Sequence, residues 1–404
     1  MELSGALVPP FVLVASAFAG RVALSLLPAG SVGAHRLTEL PATWATSHVL
    51  GWILLTVEER VLAACGLSSS AIVLLAPWAL LATLRIATLP GALVPRHEPA
   101  RERSSVAVRA LLLASALLVA AAALRRGADA GTGRIAAALA EVLSAAPDAL
   151  ARASTWIVAA NAVALLALVT HGLAIARRAP FGRAVLVAGL AAIVALRSDA
   201  VGEPDRSLHE LCIGAGAAFG IGALRRADRR AAVLCAICAS GSALFFPSAW
   251  PLATLSLALF VLRAPAPMRA RVARLAAIGA VVAGIAGRPF AWRVASELAP
   301  ARASMLAAGA LLAASSIALV WTLRSARAGE HESGGAPIDA PSIELAYLRD
   351  LVLAGLAVLA LQSAFAARAL AVALVPLLSV CALMIGLVLI RNERPVDHRA
   401  GERA

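Results

Sequence analysis

The sequence predicts an all-α, polytopic integral membrane protein with about 11–13 transmembrane helices, and three observations carry that prediction. First, hydrophobic residues fill 61% of the 404 positions against 15% charged, and the mean hydropathy is +0.86. A water-soluble domain of this composition would expose far more apolar surface than it tolerates. Second, continuous apolar runs of roughly 13 to 23 residues recur from end to end, and the longer ones match the ~30 Å hydrocarbon core. They are apolar at successive rather than alternate positions, which selects helices over the strands of an outer-membrane barrel. Third, the formal net charge of +13 is carried entirely by Arg, with no Lys, in short blocks between the runs. Basic blocks that recur between spans record orientation rather than a phosphate-binding face, so the expected partner is the lipid bilayer and not nucleic acid.

Taken in order, spans are expected at 7–27, 46–66, 71–94, 107–124, 154–176, 184–197, 207–224, 231–247, 250–262, 275–287, 303–323, 351–367 and 369–390. Met1-Glu2 puts no basic region ahead of the first run, so that run is expected to stay as a span. Pro247-Ser248-Ala249 separates a pair that reads either as a tight hairpin or as one broken element. The chain divides into N-terminal helices (1–104), a core bundle (105–325), a polar, Gly- and Pro-containing cytoplasmic linker (326–350), and a final helical pair with a basic tail (351–404).

The arginine blocks set the orientation. Arg96–Arg103, Arg177–Arg183, Arg225–Arg230, Arg263–Arg274, Arg324–Arg327 and the tail all fall on one side of these spans, which the positive-inside rule makes cytoplasmic. The expected location is a bacterial inner (plasma) membrane, crossed many times. Loops 125–153, 198–206 and 288–302 then face outward, and so does the N-terminus.

Carboxylates gather in two of these outer loops: Asp129 in the first, and Asp199, Glu203 and Asp205 in the second. Loop 125–153 also holds Ile135, Leu139, Val142 and Leu143 at helical spacing opposite Arg134 and Glu141, an amphipathic helix suited to the leaflet surface. Loops of adjacent hairpins can bring such carboxylates together. There they would act as a general base for a hydroxyl, or hold a divalent metal ion against a phosphate. The plain alternative is acids that are solvated or paired with Arg197 and Arg206. Arg288 and Arg293, with Phe290 and Trp292 between them, suit either a clamp on a lipid phosphate or an ordinary interfacial belt. His209-Glu210 opens span 207–224 close to Asp205, and either shares protons with it or simply begins a helix at the interface.

An outer amphipathic loop, followed two spans later by a short acidic turn, resembles the GT-C glycosyltransferases. VGEPDRSLHELCIGAGAAFGIGALRRADRRAAVLCAICASGSALF is similar to that family's succession of acidic turn, small-residue helix, basic turn and small-residue helix. The resemblance covers roughly 105–325. It implies a membrane enzyme that moves a sugar from a polyprenyl-phosphate donor to an outer-face acceptor. It also implies Asp205, Asp129 and Glu203 as the catalytic or metal-binding carboxylates, and Arg206, His209, Arg288 and Arg293 as substrate contacts.

Other polar groups support different classes. Glu58-Glu59-Arg60 and Arg85 lie within apolar runs, where charge is costly, and suit either an ion relay in a transporter or flippase, or pairing between neighbouring helices. A non-catalytic scaffold is a third class. His35, Glu39 and His48 lack the spacing of a single-helix zinc motif. Cys235-Ala-Ile-Cys238 lies inside an apolar run with no second pair, which points to packing rather than metal or redox chemistry.

Overall fold

The computed structural model describes residues 2–27, 40–88, 106–126, 139, 147–175, 184, 187–189, 191, 204–226, 228–246, 250–264, 269–270, 272–274, 276–279 and 347–353. Among them the chain is helical, with no strand: α1 Glu2–Leu26, α2 Leu40–Ala64, α3 Ala71–Thr88, α4 Val106–Arg126, α5 Pro147–Ile175, α6 Pro204–Arg226, α7 Arg229–Phe245 and α8 Trp250–Arg263. Four stretches are long and apolar enough to cross a bilayer: Leu7–Leu26, Ala71–Thr88, Arg152–Leu173 and Pro204–Leu224. The chain is a helical membrane protein. The expected spans at 303–323 and 369–390 and most of those at 184–197, 275–287 and 351–367 lie outside the described residues.

Helices α1, α2, α5 and α6 begin earlier than the hydropathy suggests, and in the last three a proline explains the start. Pro41, Pro147 and Pro204 stand in first turns, where the missing N–H costs no internal hydrogen bond. Thus Pro41–Ala45 are helical rather than loop. Asp148 lies in the first turn of α5, and Asp205 and Arg206 lie on the first turn of α6 rather than in a loop. Helix α2 closes on Gly66 at φ 73°, with Leu67 N–H donating to Leu62 O at 2.9 Å, a Schellman stop that needs a residue without Cβ strain. Asp228 caps α7 by accepting from Arg230 N–H at 2.9 Å. Phe245 ends α7 and Trp250 begins α8, so the pair around Pro247 is two helices.

Helix α6 is the shaft of the bundle: 94% of its apolar window is buried, against 17% for α3. It packs on α5, α7 and α2, while α1 and α2 pack closely on each other and on α5. Helix α3 instead exposes Ile72, Leu80, Leu84 and Ile86, as a helix facing lipid does.

The approach of α1 and α2 is set by two small-residue pairs one turn apart, Ser16/Gly20 and Ser47/Gly51. A Cβ on Gly20 would lie 1.7 Å from Ser47 O, and one on Gly51 would lie 1.7 Å from Ser16 O. Apolar tails solvate lipid and protein alike, so close backbone packing of this kind takes the place of the hydrophobic drive between membrane helices.

The last residues of the expected linker belong to the core. Residues 347–353 are helical, and Tyr347 is 2% exposed. Its ring lies over Gly220 of α6, where a Cβ would meet Cε1 at 2.6 Å, and 6.0 Å from the Phe260 ring of α8. Its hydroxyl is 3.8 Å from Cys235 Sγ. Arg263 Nε and Nη2 both donate to Asp350 Oδ2, at 2.7 and 2.5 Å. Tyr347→Ala is expected to cost about 3 kcal/mol in thermal unfolding, because the notch cannot close around Gly220. Tyr347→Phe, which keeps the ring, should cost under about 1 kcal/mol, since the long contact to sulfur is weak.

Candidate functional site

Four polar side chains from four helices join inside the bundle. Ser16 of α1, His48 of α2, Asn161 of α5 and Ser207 of α6 are 0%, 0%, 1% and 8% exposed, so each must find its partner within the protein. Ser16 Oγ lies 3.2 Å from His48 Nδ1, and His48 Nε2 lies 2.9 Å from Asn161 Oδ1. Asn161 Nδ2 donates to Ser207 Oγ at 2.7 Å, and Ser207 Oγ donates to Pro204 O at 2.8 Å. At the other end Ser16 Oγ donates to Leu13 O at 3.0 Å.

Proton bookkeeping narrows the states of this chain. With Asn161 Oδ1 as acceptor, His48 Nε2 carries a proton. Ser16 has one proton, so if it goes to Leu13 O then His48 Nδ1 must also be a donor and the ring is an imidazolium. A neutral ring fits in either of two ways. Ser16 turns its proton to Nδ1, or the Asn161 amide is reversed so that its NH2 donates to Nε2 and Ser207 donates to its oxygen. Trp44 stacks on the His48 ring at 5.2 Å and 14°, and Trp52 meets it edge-on at 6.3 Å, so the imidazole is fixed on its faces as well as its edges.

The chain ends at the start of α6, and the residues expected to carry chemistry begin there. Asp205 is exposed in the first turn, where the helix N-terminus favours a carboxylate. Arg206 is half-buried beside it, and Glu210 is buried one turn on. His209 is 2% exposed and turns inward: its Nδ1–H donates to Ser242 O of α7 at 3.2 Å, and its ring lies 5.4 Å from Phe246. It therefore ties α6 to α7 four residues below Asp205.

Asp129, Glu203, Arg288 and Arg293 lie outside the described residues, as do Asp199, His35 and Glu39. Of the charges within apolar runs, Glu58 accepts from Trp78 Nε1 at 2.9 Å, joining α2 to α3, and Arg60 Nη2 donates to Leu244 O of α7. Arg85 is not the partner of Glu58: its Nη2 donates to Ser25 O at 2.8 Å. Cys212, Cys235 and Cys238 are buried free thiols and Cys65 is an exposed one. Among the described residues no group of three His, Cys, Asp or Glu side chains is placed to hold a metal ion.

In the sequence Asn161 is a polar interruption of an apolar run, and His48 belongs to a polar stretch without zinc spacing. That they meet has no local signature, because their partner serines, Ser16 and Ser207, are ordinary in apolar runs. The signal available is the Ser16/Gly20 and Ser47/Gly51 spacing, which brings α1 and α2 close enough for His48 to reach Ser16. Compared with known proteins, the chain matches no family model, no curated protein and no solved structure.

Proposed function

We propose that the chain is a multi-pass enzyme of the GT-C type in a bacterial inner membrane, moving a sugar from a polyprenyl-phosphate donor to an outer-face acceptor. The observation that carries this reading is Asp205. Its carboxylate is exposed on the first turn of α6, at the opposite end of that helix from the Arg225–Arg230 turn. The 20 residues between Asp205 and Arg225 rise ~30 Å, a bilayer core, and the basic turn belongs inside, so Asp205 belongs outside. The buried chain from Ser16 to Ser207 supports the reading by anchoring the turn that presents Asp205 to helices α1, α2 and α5.

In this reading Asp205 takes the proton of the acceptor hydroxyl as the oxygen attacks the anomeric carbon. The bond from that carbon to the phosphate oxygen breaks, polyprenyl phosphate leaves, and the configuration inverts. Asp129 and Glu203 complete the carboxylate set, and Arg206, Arg288 and Arg293 bind the phosphate. A transporter built on Glu58, Glu59 and Arg85 is less favoured, because Glu58 and Arg85 are spent on helix packing.

Asp205→Asn keeps the shape and removes the base. In membrane vesicles given polyprenyl-phosphate sugars, transfer is expected to fall by about 100-fold or more, the share that a general base contributes. Full transfer by this variant would remove the proposal.

A further inference from the structure

The last turn of α1 is gripped by arginines from two other helices. Arg230 Nη2, at the start of α7, donates to Leu24 O at 2.7 Å, and Arg85 Nη2, in the last turn of α3, donates to Ser25 O at 2.8 Å. Arg21 lies on the preceding turn of α1, and its charge acts directly on Arg230. Arg229, which precedes Arg230 in the sequence, is exposed. The carboxylate that also acts on Arg230 is Asp228, and one of its oxygens already accepts from the Arg230 backbone N–H. Among the described residues Arg21, Arg85 and Arg230 therefore gather at this end of the bundle, and Asp228 is the carboxylate that acts on Arg230.

The donors left over point to what binds. A guanidinium presents Nε and an Nη as a fork for two oxygens. In Arg85 and Arg230 one Nη2 goes to a carbonyl, while Nε of each is shut off from solvent with no hydrogen-bond partner among the described residues. Two unpartnered N–H edges on guanidiniums that grip successive carbonyls of α1 suit an anion with several oxygens. Its surroundings are apolar: Leu26, Leu84 and Ile86, neighbours of these arginines on α1 and α3, are 49%, 53% and 53% exposed. Acyl chains suit that surface, and water does not.

We propose that Arg21, Arg85 and Arg230 form a phosphate-binding site between α1, α3 and α7, occupied by the headgroup of an anionic lipid of the cytoplasmic leaflet. The site lies at the opposite end of α6 from Asp205 and does not depend on the transfer reading.

The test uses the full chain in neutral detergent, followed by thermal unfolding through tryptophan fluorescence as phosphatidylglycerol, phosphatidylcholine or inorganic phosphate is added. Phosphatidylglycerol is expected to raise the midpoint saturably, and phosphatidylcholine is not. In the double variant Arg85→Gln/Arg230→Gln the concentration needed should rise about tenfold or more, as the loss of charged hydrogen bonds requires. Arg152→Gln, at the start of the apolar stretch of α5, should respond as the unaltered chain does. If the double variant does not fold, Arg85→Gln alone, on the lipid-exposed helix, carries the comparison. An equal rise with phosphatidylcholine, or an undiminished rise in the variants, overturns the site. A full rise with inorganic phosphate at equal concentration overturns the lipid as its occupant.

Discussion

Asn161→Leu is expected to destabilise the folded bundle by about 3 kcal/mol, among the largest effects of any single substitution at a buried polar site. The interhelical hydrogen bonds themselves are modest; in membrane proteins such bonds average about 0.6 kcal/mol. The larger part is the cost of what remains. His48 Nε2, at 0% exposure and clasped by Trp44 and Trp52, is left facing a methyl group with no room to turn toward water. Ser207 keeps Pro204 O and loses less. His48→Leu/Asn161→Leu, which removes both partners, should be closer to the unaltered chain than Asn161→Leu alone. Thermal unfolding in detergent reads both, and equal costs for the single and the double variant would mean that the two side chains do not bond.

Gly51→Leu is expected to do at least as much damage by a different route. Even the first carbon of the new side chain would fall 1.7 Å from Ser16 O, a backbone atom that no rotamer change can move. The helices must separate, and separation also draws Ser16 away from His48. Overpacking alone costs about 1–3 kcal/mol, and the lost polar contact adds to it. Gly51→Ala should already show most of the effect. Gly189→Ala, where nothing among the described residues lies within 4 Å, should be nearly neutral. If Gly51→Ala also proves neutral, the close approach of α1 and α2 is wrong.

These two sites show what was legible in the sequence. Hydropathy located the apolar core of α1, α3, α5 and α6, because a bilayer demands long uninterrupted runs and such runs are conspicuous. It misplaced the starts of α2, α5 and α6, because polar residues that begin a helix are counted against it; the first-turn prolines Pro41, Pro147 and Pro204 were the better signal. It placed Tyr347 and Asp350 in a linker because their neighbours on the N-terminal side are polar. Their partners, Gly220 and Arg263, lie 127 and 87 residues away, and no local window sees them. The candidate site was legible only in part. Asp205 was read as a loop carboxylate and stands on a helix, His209 was read as a neighbour of the site and turns inward, and the chain through Asn161 emerges only when four helices are assembled.

The orientation of α6 bears on every functional statement, and one labelling experiment decides it. In a Cys65→Ser/Cys381→Ser background, Asp205→Cys and Arg229→Cys are exposed in turn to a membrane-impermeant maleimide in sealed, right-side-out vesicles; both native residues are solvent-exposed, as is Cys65. Asp205→Cys is expected to react at once and Arg229→Cys only after the vesicles are opened. Labelling of Arg229→Cys from outside, or of both positions from the same side, would contradict an outward-facing carboxylate and with it the sugar-transfer reading.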